Sequence, residues 1–348
     1  MSGKVKILVT GVTGYIGGAV VTRFLARTDA SSFDIRAIVR SPEKAEKLKS
    51  FGITPIIGSH NDESVMVKAV SEVDVVIAMA DCDDLAAAKA TLKGLKKRFE
   101  ETGQATHLHQ HGTGVLADTA AGMHITDTIY DDANPDQIES LAPTQIHRNV
   151  DLEIVGADKE GYTKTYIILP STIYSIAKGG IFDAGISNPH SVQVPALIKA
   201  SLDRKQGGMV GDGANLWPNV DVHELTDLYS ALYDSITKNP EKTGHGREGF
   251  YFGASGEHRL YDVGKAIGEA LVQLGIAKSP EPTTFTKEEI DRYFGGSDYL
   301  GSNSRCRANR SRSIGWNPVK TTEDFLKSVH AEVEALVKKG GPAESKKL

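Results

Sequence analysis

A strand-like run over residues 5–10, Val-Lys-Ile-Leu-Val-Thr, passes at once into Gly11-Val-Thr-Gly14-Tyr-Ile-Gly17-Gly18 and then into a helical stretch over 16–27. No other feature restricts the fold of this chain as tightly. In a strand-to-helix turn of spacing G-x-x-G-x-x-G, the first glycine permits the tight turn. The second lets backbone approach a pyrophosphate, and the third packs helix on strand. The helix N-terminus adds unpaired N–H groups and a partial positive charge. This context predicts a dinucleotide held by Gly11, Thr13, Gly14, Tyr15, Ile16 and Gly17.

The rest of the first half repeats the unit. Further strands are expected over 34–39, 55–58, 73–80, 106–111 and 165–169, with helices over 43–51, 63–71, 85–102 and 138–160. The run Val73-Asp-Val-Val-Ile-Ala-Met-Ala80 is apolar at nearly every position, as expected of a strand buried on both faces of a parallel sheet. Repeated βα units imply an α/β fold with a doubly wound parallel Rossmann sheet. With 348 residues the chain has room for a second lobe. The division expected is a dinucleotide-binding domain over 1–175 and a smaller mixed α/β substrate-binding lobe over 176–348, from which some strands or helices return to the sheet. Helices are expected there over 195–204, 224–238, 261–274, 287–294 and 322–338.

The end of the second strand selects the cofactor. An acid there would accept from the ribose hydroxyls of NAD, whereas an arginine suits the 2′-phosphate of NADP. The sequence reads Val39-Arg40-Ser41-Pro42, with Lys44 one turn further on, so NADP(H) is expected. The net charge of −5, with both signs interspersed, argues against a nucleic-acid partner, and no apolar run is long enough to span a membrane. Two cysteines cannot build a disulfide framework, so a cytoplasmic setting is expected. The terminal Lys346-Lys347-Leu348 reads as a charged, frayed end rather than a targeting signal.

With these segments in place, the chain resembles the extended or atypical short-chain dehydrogenase/reductases, the epimerase/dehydratase-like group. ILVTGVTGYIGGAVV resembles the family's opening and VDVVIAMA its cofactor-lining fourth strand. TYIILPSTIY resembles its sixth strand and Pro-x-x-x-Tyr turn, VDVHELTDLY a substrate-lobe segment, and SNSRCRANRSRSIGWNP its C-terminal segment. The resemblance implies that Ala80, Pro170 and Ile173 also line the cofactor. It further implies a Ser/Thr after the fifth strand and Tyr-x-x-x-Lys on the next helix, where the lysine and cofactor make the tyrosine a usable acid. Here the sequence departs. The helix ahead of TYIILP places Pro143 and His147 at the dyad positions in one register, Gln145 and Asn149 in the other. The two literal matches, Tyr174-x-x-x-Lys178 and Tyr261-x-x-x-Lys265, fall elsewhere.

His147 is the expected substitute, able to hold the nicotinamide ribose and to move protons near neutrality. Thr113 or His111 is expected to polarise a substrate carbonyl, and Tyr174 or Tyr130 to serve as alternative proton donor. His107, His109 and His111 alternate onto one sheet face near Asp81, Cys82, Asp83 and Asp84. Same-face strand positions are ~6.6 Å apart, too far for three imidazoles to share zinc ligated at ~2.0–2.1 Å, so no metal is expected. The function implied is an NADP(H)-dependent oxidoreductase acting on a small organic carbonyl. The alternatives are a non-catalytic NADP(H)-binding sensor, or a sugar-nucleotide epimerase/dehydratase using Arg305, Arg307, Arg310 and Arg312 against a diphosphate. The insertion 117–143 and the loop 175–195 are expected to shape the pocket. A small-molecule substrate is the expected partner, and the resemblance admits a homodimer.

Overall fold

The computed structural model describes residues 3–340; the terminal Lys346-Lys347-Leu348 lies outside them. Seven parallel strands form the central sheet: β1 (Val5–Val9), β2 (Phe33–Val39), β3 (Thr54–Ile57), β4 (Val75–Ala78), β5 (Thr106–Gln110), β6 (Lys164–Pro170) and β9 (Phe250–Gly253), in the order β9-β6-β5-β4-β1-β2-β3. Direction of travel reverses beside β1, between β4 and β2, and ligands of such sheets bind at the strands' carboxyl ends there.

Both faces are covered. Ile7, Val9, Ile35, Val39 and Ile77 point to one side, against α1 (Tyr15–Leu25), α2 (Pro42–Lys49), α5 (Arg148–Lys159) and α7 (Val222–Lys238). Leu8, Ile38 and Val76 point to the other, against α3 (Glu63–Ser71) and α4 (Leu85–Thr102). This two-sided burial is why the strands carry so few polar residues. The helices start where side chains can cap them: Ser41 accepts from Lys44 N ahead of Pro42, Asp62 from Ser64 N and Val65 N, and Asp84 from Ala87 N.

The second half does not form a separate block. After β6 the chain makes β7 (Thr172–Tyr174), which pairs in parallel with β8 (Leu216–Asp221), and β8 pairs antiparallel with β10 (Gly256–Arg259). Between β8 and β10 the chain runs back along α7 and inserts β9 at the edge of the main sheet. A second core joins α6 (Gln193–Arg204), α8 (Leu260–Gln273), α9 (Lys287–Phe294) and α10 (Thr322–Lys338) around Ile198, Ile267, Phe294, Phe325 and Val329.

One expected helix is broken. The stretch 138–160 holds a short helix, Pro135–Glu139, then turns, then α5. Pro143 donates no backbone hydrogen bond, and Gln145 Nε2 donates instead to the carbonyls of Val115 and Ala117, fastening the turn beneath β5. His147 is therefore the residue before α5, in the left-handed region at φ 69°, and not a residue within the helix.

Candidate active site

A cleft of about 380 Å³ opens at the carboxyl ends of β1, β4, β5 and β6, a size proper to small-molecule sites. Its walls include Gly14, Tyr15, Ile16 and Gly17, then Met79 and Ala80 after β4, residues 110–114 after β5, His147, and Pro170, Ser171 and Ile173 after β6. Ser191, Val192, Gln193, Trp217 and Tyr299 close it from the second half of the chain.

The glycine loop divides its labour as its spacing predicts. Gly11 has φ 76°, and a Cβ there would run into the Met79 carbonyl, so only glycine lets the loop pass the end of β4. A Cβ on Gly17 would strike the Gly11 carbonyl, which is how closely helix packs on turn. Gly14 is less crowded: a Cβ there would press on Gly11 O at 3.2 Å and, among the described residues outside its own helix, meet no other atom within 4 Å. Gly14 is also the residue before α1, and no side chain caps that helix or places an acid in its first turn. Side chains do cap α2, α3 and α4. The first turn of α1 thus keeps orphan N–H donors and its positive end toward the cleft, the condition for holding a pyrophosphate.

Arg40 stands at the end of β2, exposed, with no carboxylate partner among the described residues. Lys44 is committed otherwise, its ammonium donating to Ile186 O at 2.7 Å. That contact belongs to the loop 175–195, which crosses over the glycine turn: Ser187 Oγ donates to Val12 O at 2.6 Å and Asn188 N to Thr13 O at 3.1 Å. Tyr15 Oη donates to Tyr174 O and Ser175 O, tying α1 to the turn after β7.

The three strand-five imidazoles do share one face, and His147 extends the row. Ring centroids lie 5.4 Å apart for His107 and His109, 4.7 Å for His109 and His111, and 5.1 Å for His111 and His147. Their chemistry divides sharply. His107 and His109 are buried under α4 with no hydrogen-bond partner, and burial pushes both down, His107 to about 3, so they are neutral packing groups. His111 forms a buried ion pair with Asp151, and its Nε2 lies 3.0 Å from Cys82 O. Burial lowers its affinity for protons, yet the Asp151 charge and hydrogen bond together outweigh burial, and the net shift is upward.

His147 faces the cleft. Its Nδ1 meets Asp83 Oδ1 at 2.5 Å, and that hydrogen bond holds the Asp83 carboxyl below its ordinary value. Cys82 Sγ is 3.8 Å from the same Nδ1; burial, then Asp83, pushes the thiol up to about 12, so it stays protonated. The ligand atoms of Cys82, Asp83 and His147 lie within 4.8 Å of one another. Nitrogen and oxygen on one zinc, ligated at ~2.0–2.1 Å, stand roughly 3.3 Å apart, so the short contact reads as a direct hydrogen bond.

Several expected site residues lie elsewhere. Tyr174 ends β7, packs on Phe325 with centroids 5.1 Å apart, and sends its hydroxyl toward Thr321 O in the second core; it does not line the cleft. Tyr130 pairs with Cys306 in a two-residue strand and is likewise not on the cleft wall. Thr113 is on the wall, but its hydroxyl is buried without a partner. The insertion 117–143 contributes nothing to the wall and instead binds the C-terminal segment, through Asp118 to Asn303 and Gly122 N to Gly301 O. Arg305 pairs with Glu257, Arg310 bonds Asp132, and Arg312 lies over Trp316.

Tyr299 is the cleft residue that sequence reasoning misses. Its ring meets the edge of Trp217 at 5.4 Å between centroids, and its hydroxyl hangs over Gly114. A Cβ on Gly114 would collide with Tyr299 Oη and stand 3.2 Å from His147 Nε2, so the two side chains converge on one point.

Fold and glycine loop together give the chain a Rossmann architecture, with a parallel sheet and a glycine turn at its switch point. Residues 3–96 match the NmrA-like family. Over nearly its whole length the chain is similar to the oxidase ucsJ of Acremonium sp., at 23% identity across 90% of this chain and 93% of that protein. A phenylcoumaran benzylic ether reductase of Ginkgo biloba is 38% identical across 29% of this chain and 36% of its own length. Among solved structures, UDP-glucose 4-epimerase of Thermotoga maritima superposes with TM-score 0.64 at 16% identity, covering 96% of this chain and 99% of that one. The dTDP-glucose 4,6-dehydratase of Bacillus anthracis, solved in complex with NAD, gives the same score and identity, covering 96% and 97%. Among the described residues, no helix is long and apolar enough to cross a membrane.

Proposed function

We propose that the chain is an NADP(H)-dependent oxidoreductase acting on a small organic carbonyl or a similarly polarised double bond. The uncapped start of α1, where Gly14 lines the cleft, carries this reading. Backbone N–H groups of the glycine loop hold the pyrophosphate, and Arg40, unpaired at the end of β2, meets the 2′-phosphate. Ala80, Pro170 and Ile173 wall the cofactor on its far side. When bound, the coenzyme supplies the reducing electrons and hydrogen. The chain supplies orientation, an apolar wall of buried Met79 and Trp217 with Val192 at its exposed rim, and a proton route that ends in solvent at Asp83.

The wall contains no lysine, arginine or carboxylate, which favours an uncharged substrate. A sugar nucleotide's diphosphate would find no cation on this wall: Arg305 and Arg310 are hydrogen-bonded elsewhere, Arg312 lies over Trp316, and Arg307 is exposed away from the lining. Cys82 and Cys306 are both free, in keeping with a reducing cytoplasm. The test is NADPH consumption with a panel of aldehydes and ketones. Oxidation with at least one of them is expected; tight NADPH binding with every carbonyl left untouched would instead mark a cofactor-binding sensor.

A further inference from the structure

Loss of the Tyr-x-x-x-Lys dyad leaves the reaction without its usual acid, yet a phenol does reach the cleft, from the opposite side. Tyr299 sits on a turn that is unusually well fastened. Ser302 Oγ donates to Tyr299 O at 2.7 Å, and Asn215 Nδ2 donates to Leu300 O at 3.0 Å. Trp217 Nε1 donates to Ser302 O at 2.6 Å, and Gly122 N to Gly301 O at 2.7 Å. The ring is therefore held by packing and its backbone by four hydrogen bonds from three segments. Its hydroxyl, in contrast, has no hydrogen-bond partner among the described residues, although it lies on the cleft wall. A phenylalanine would pack equally well against Trp217. A partly buried hydroxyl left unpaired is a cost unless something else completes it.

We propose that Tyr299 is the proton donor to the substrate oxygen, with His147 as the group that returns the proton. The proposal rests on the carbonyl-reduction reading of the cleft. Reduction of C=O to CH–OH consumes two electrons and a hydrogen from the bound dinucleotide at carbon, and one proton at oxygen. As the carbon–oxygen π pair moves onto oxygen, the developing alkoxide takes the Oη proton, breaking the O–H bond of Tyr299. The phenolate is restored through the His147 ring, whose Nδ1 is held by Asp83, itself half exposed to solvent. Burial, and then the neighbouring Asp83 charge, hold the phenol above its ordinary value, so it enters each cycle protonated. An alkoxide is a stronger base even than this phenolate, so the transfer runs downhill.

Tyr299→Phe separates this role from support of the fold. NADPH titration should give an unchanged Kd, while carbonyl-dependent NADPH oxidation should fall about 10²-fold or more. A readout independent of turnover is the carbonyl stretch of isotope-edited benzaldehyde bound to the NADP⁺ complex. It should lie at lower frequency in the wild type than in Tyr299→Phe, because only the wild type donates a hydrogen bond to it. Gly114→Ala, which pushes the hydroxyl aside, should raise the stretch in the wild type and leave it unchanged in Tyr299→Phe. Equal stretches and equal rates in wild type and Tyr299→Phe overturn the proposal alone. Failure of the wild type to bind NADPH or benzaldehyde overturns the carbonyl-reduction reading beneath it.

Discussion

At its glycine-loop end the cleft is built on consecutive residues, Gly11 to Gly17, which present backbone to it at Gly14 and Gly17. At its other end the wall carries His147, backed by Asp83 behind it, and Tyr299, side chains that come from three distant segments. The first is fixed by sterics: a Cβ at Gly11 or Gly17 would strike backbone, and Gly14 is the least crowded of the three. The second is fixed by packing between lobes, through Trp217, Gln145 and the turn at residues 299–302. Local geometry of the first kind can be read along the chain, whereas geometry of the second kind exists only after folding.

This difference predicts how each end fails. Gly17→Val places branched carbons against the Gly11 backbone carbonyl, which cannot yield, so NADPH binding should be undetectable in fluorescence titration. Binding within a few-fold of wild type would show that the loop tolerates what sterics forbid. Next comes Asp151→Asn, which strands His111 beneath the cleft's other end. Breaking a buried pair should cost about 3–5 kcal/mol in denaturant unfolding. Its pH signature has a definite sign. Because the folded His111 binds its proton more tightly than the unfolded, its contribution is complete at pH below the unfolded value near 6.5. That contribution is lost as pH rises through the folded value. The wild type should lose this increment on the alkaline side, and Asp151→Asn should not; parallel curves would contradict the ion pair.

Smaller effects follow at the exposed positions. His147→Ala should slow turnover by about tenfold, less than the ~10²-fold or more expected for a direct donor. A combined Tyr299→Phe/His147→Ala protein no slower than Tyr299→Phe would sharpen the pairing of the two. Smallest is Arg40→Ala. An exposed charge pair contributes about 1 kcal/mol, so NADPH affinity should fall roughly fivefold and the loss should fade at high salt.

The alternation of strand and helix and the glycine turn are legible because each is a local pattern. The shared face of His107, His109 and His111 was legible from strand periodicity. That two of them are inert and the third paired was not, since Asp151 and the cover of α4 arrive from elsewhere. His147 was legible as a residue type but misplaced. Hydrophobic periodicity runs through Pro143, while the Gln145 hydrogen bonds that open the helix are tertiary. Tyr174 looked suited to the cleft by its spacing after β6, yet β7 pairs with β8 and carries the ring into the second core. Tyr299 follows Gly295-Gly296-Ser297-Asp298, an ordinary turn composition, with no spacing that ties it to β5. The crowding above Gly114 was its one signal, and that is visible only in three dimensions.

The proposed function requires a phosphorylated coenzyme at the start of α1, met by the guanidinium of Arg40. The direct measurement is paired titration of NADPH and NADH into the wild type and Arg40→Ala at low salt. NADPH should bind the wild type more tightly by roughly fivefold or more, and that preference should vanish in the variant. Equal affinity for both coenzymes in the wild type, or binding of neither, would contradict it.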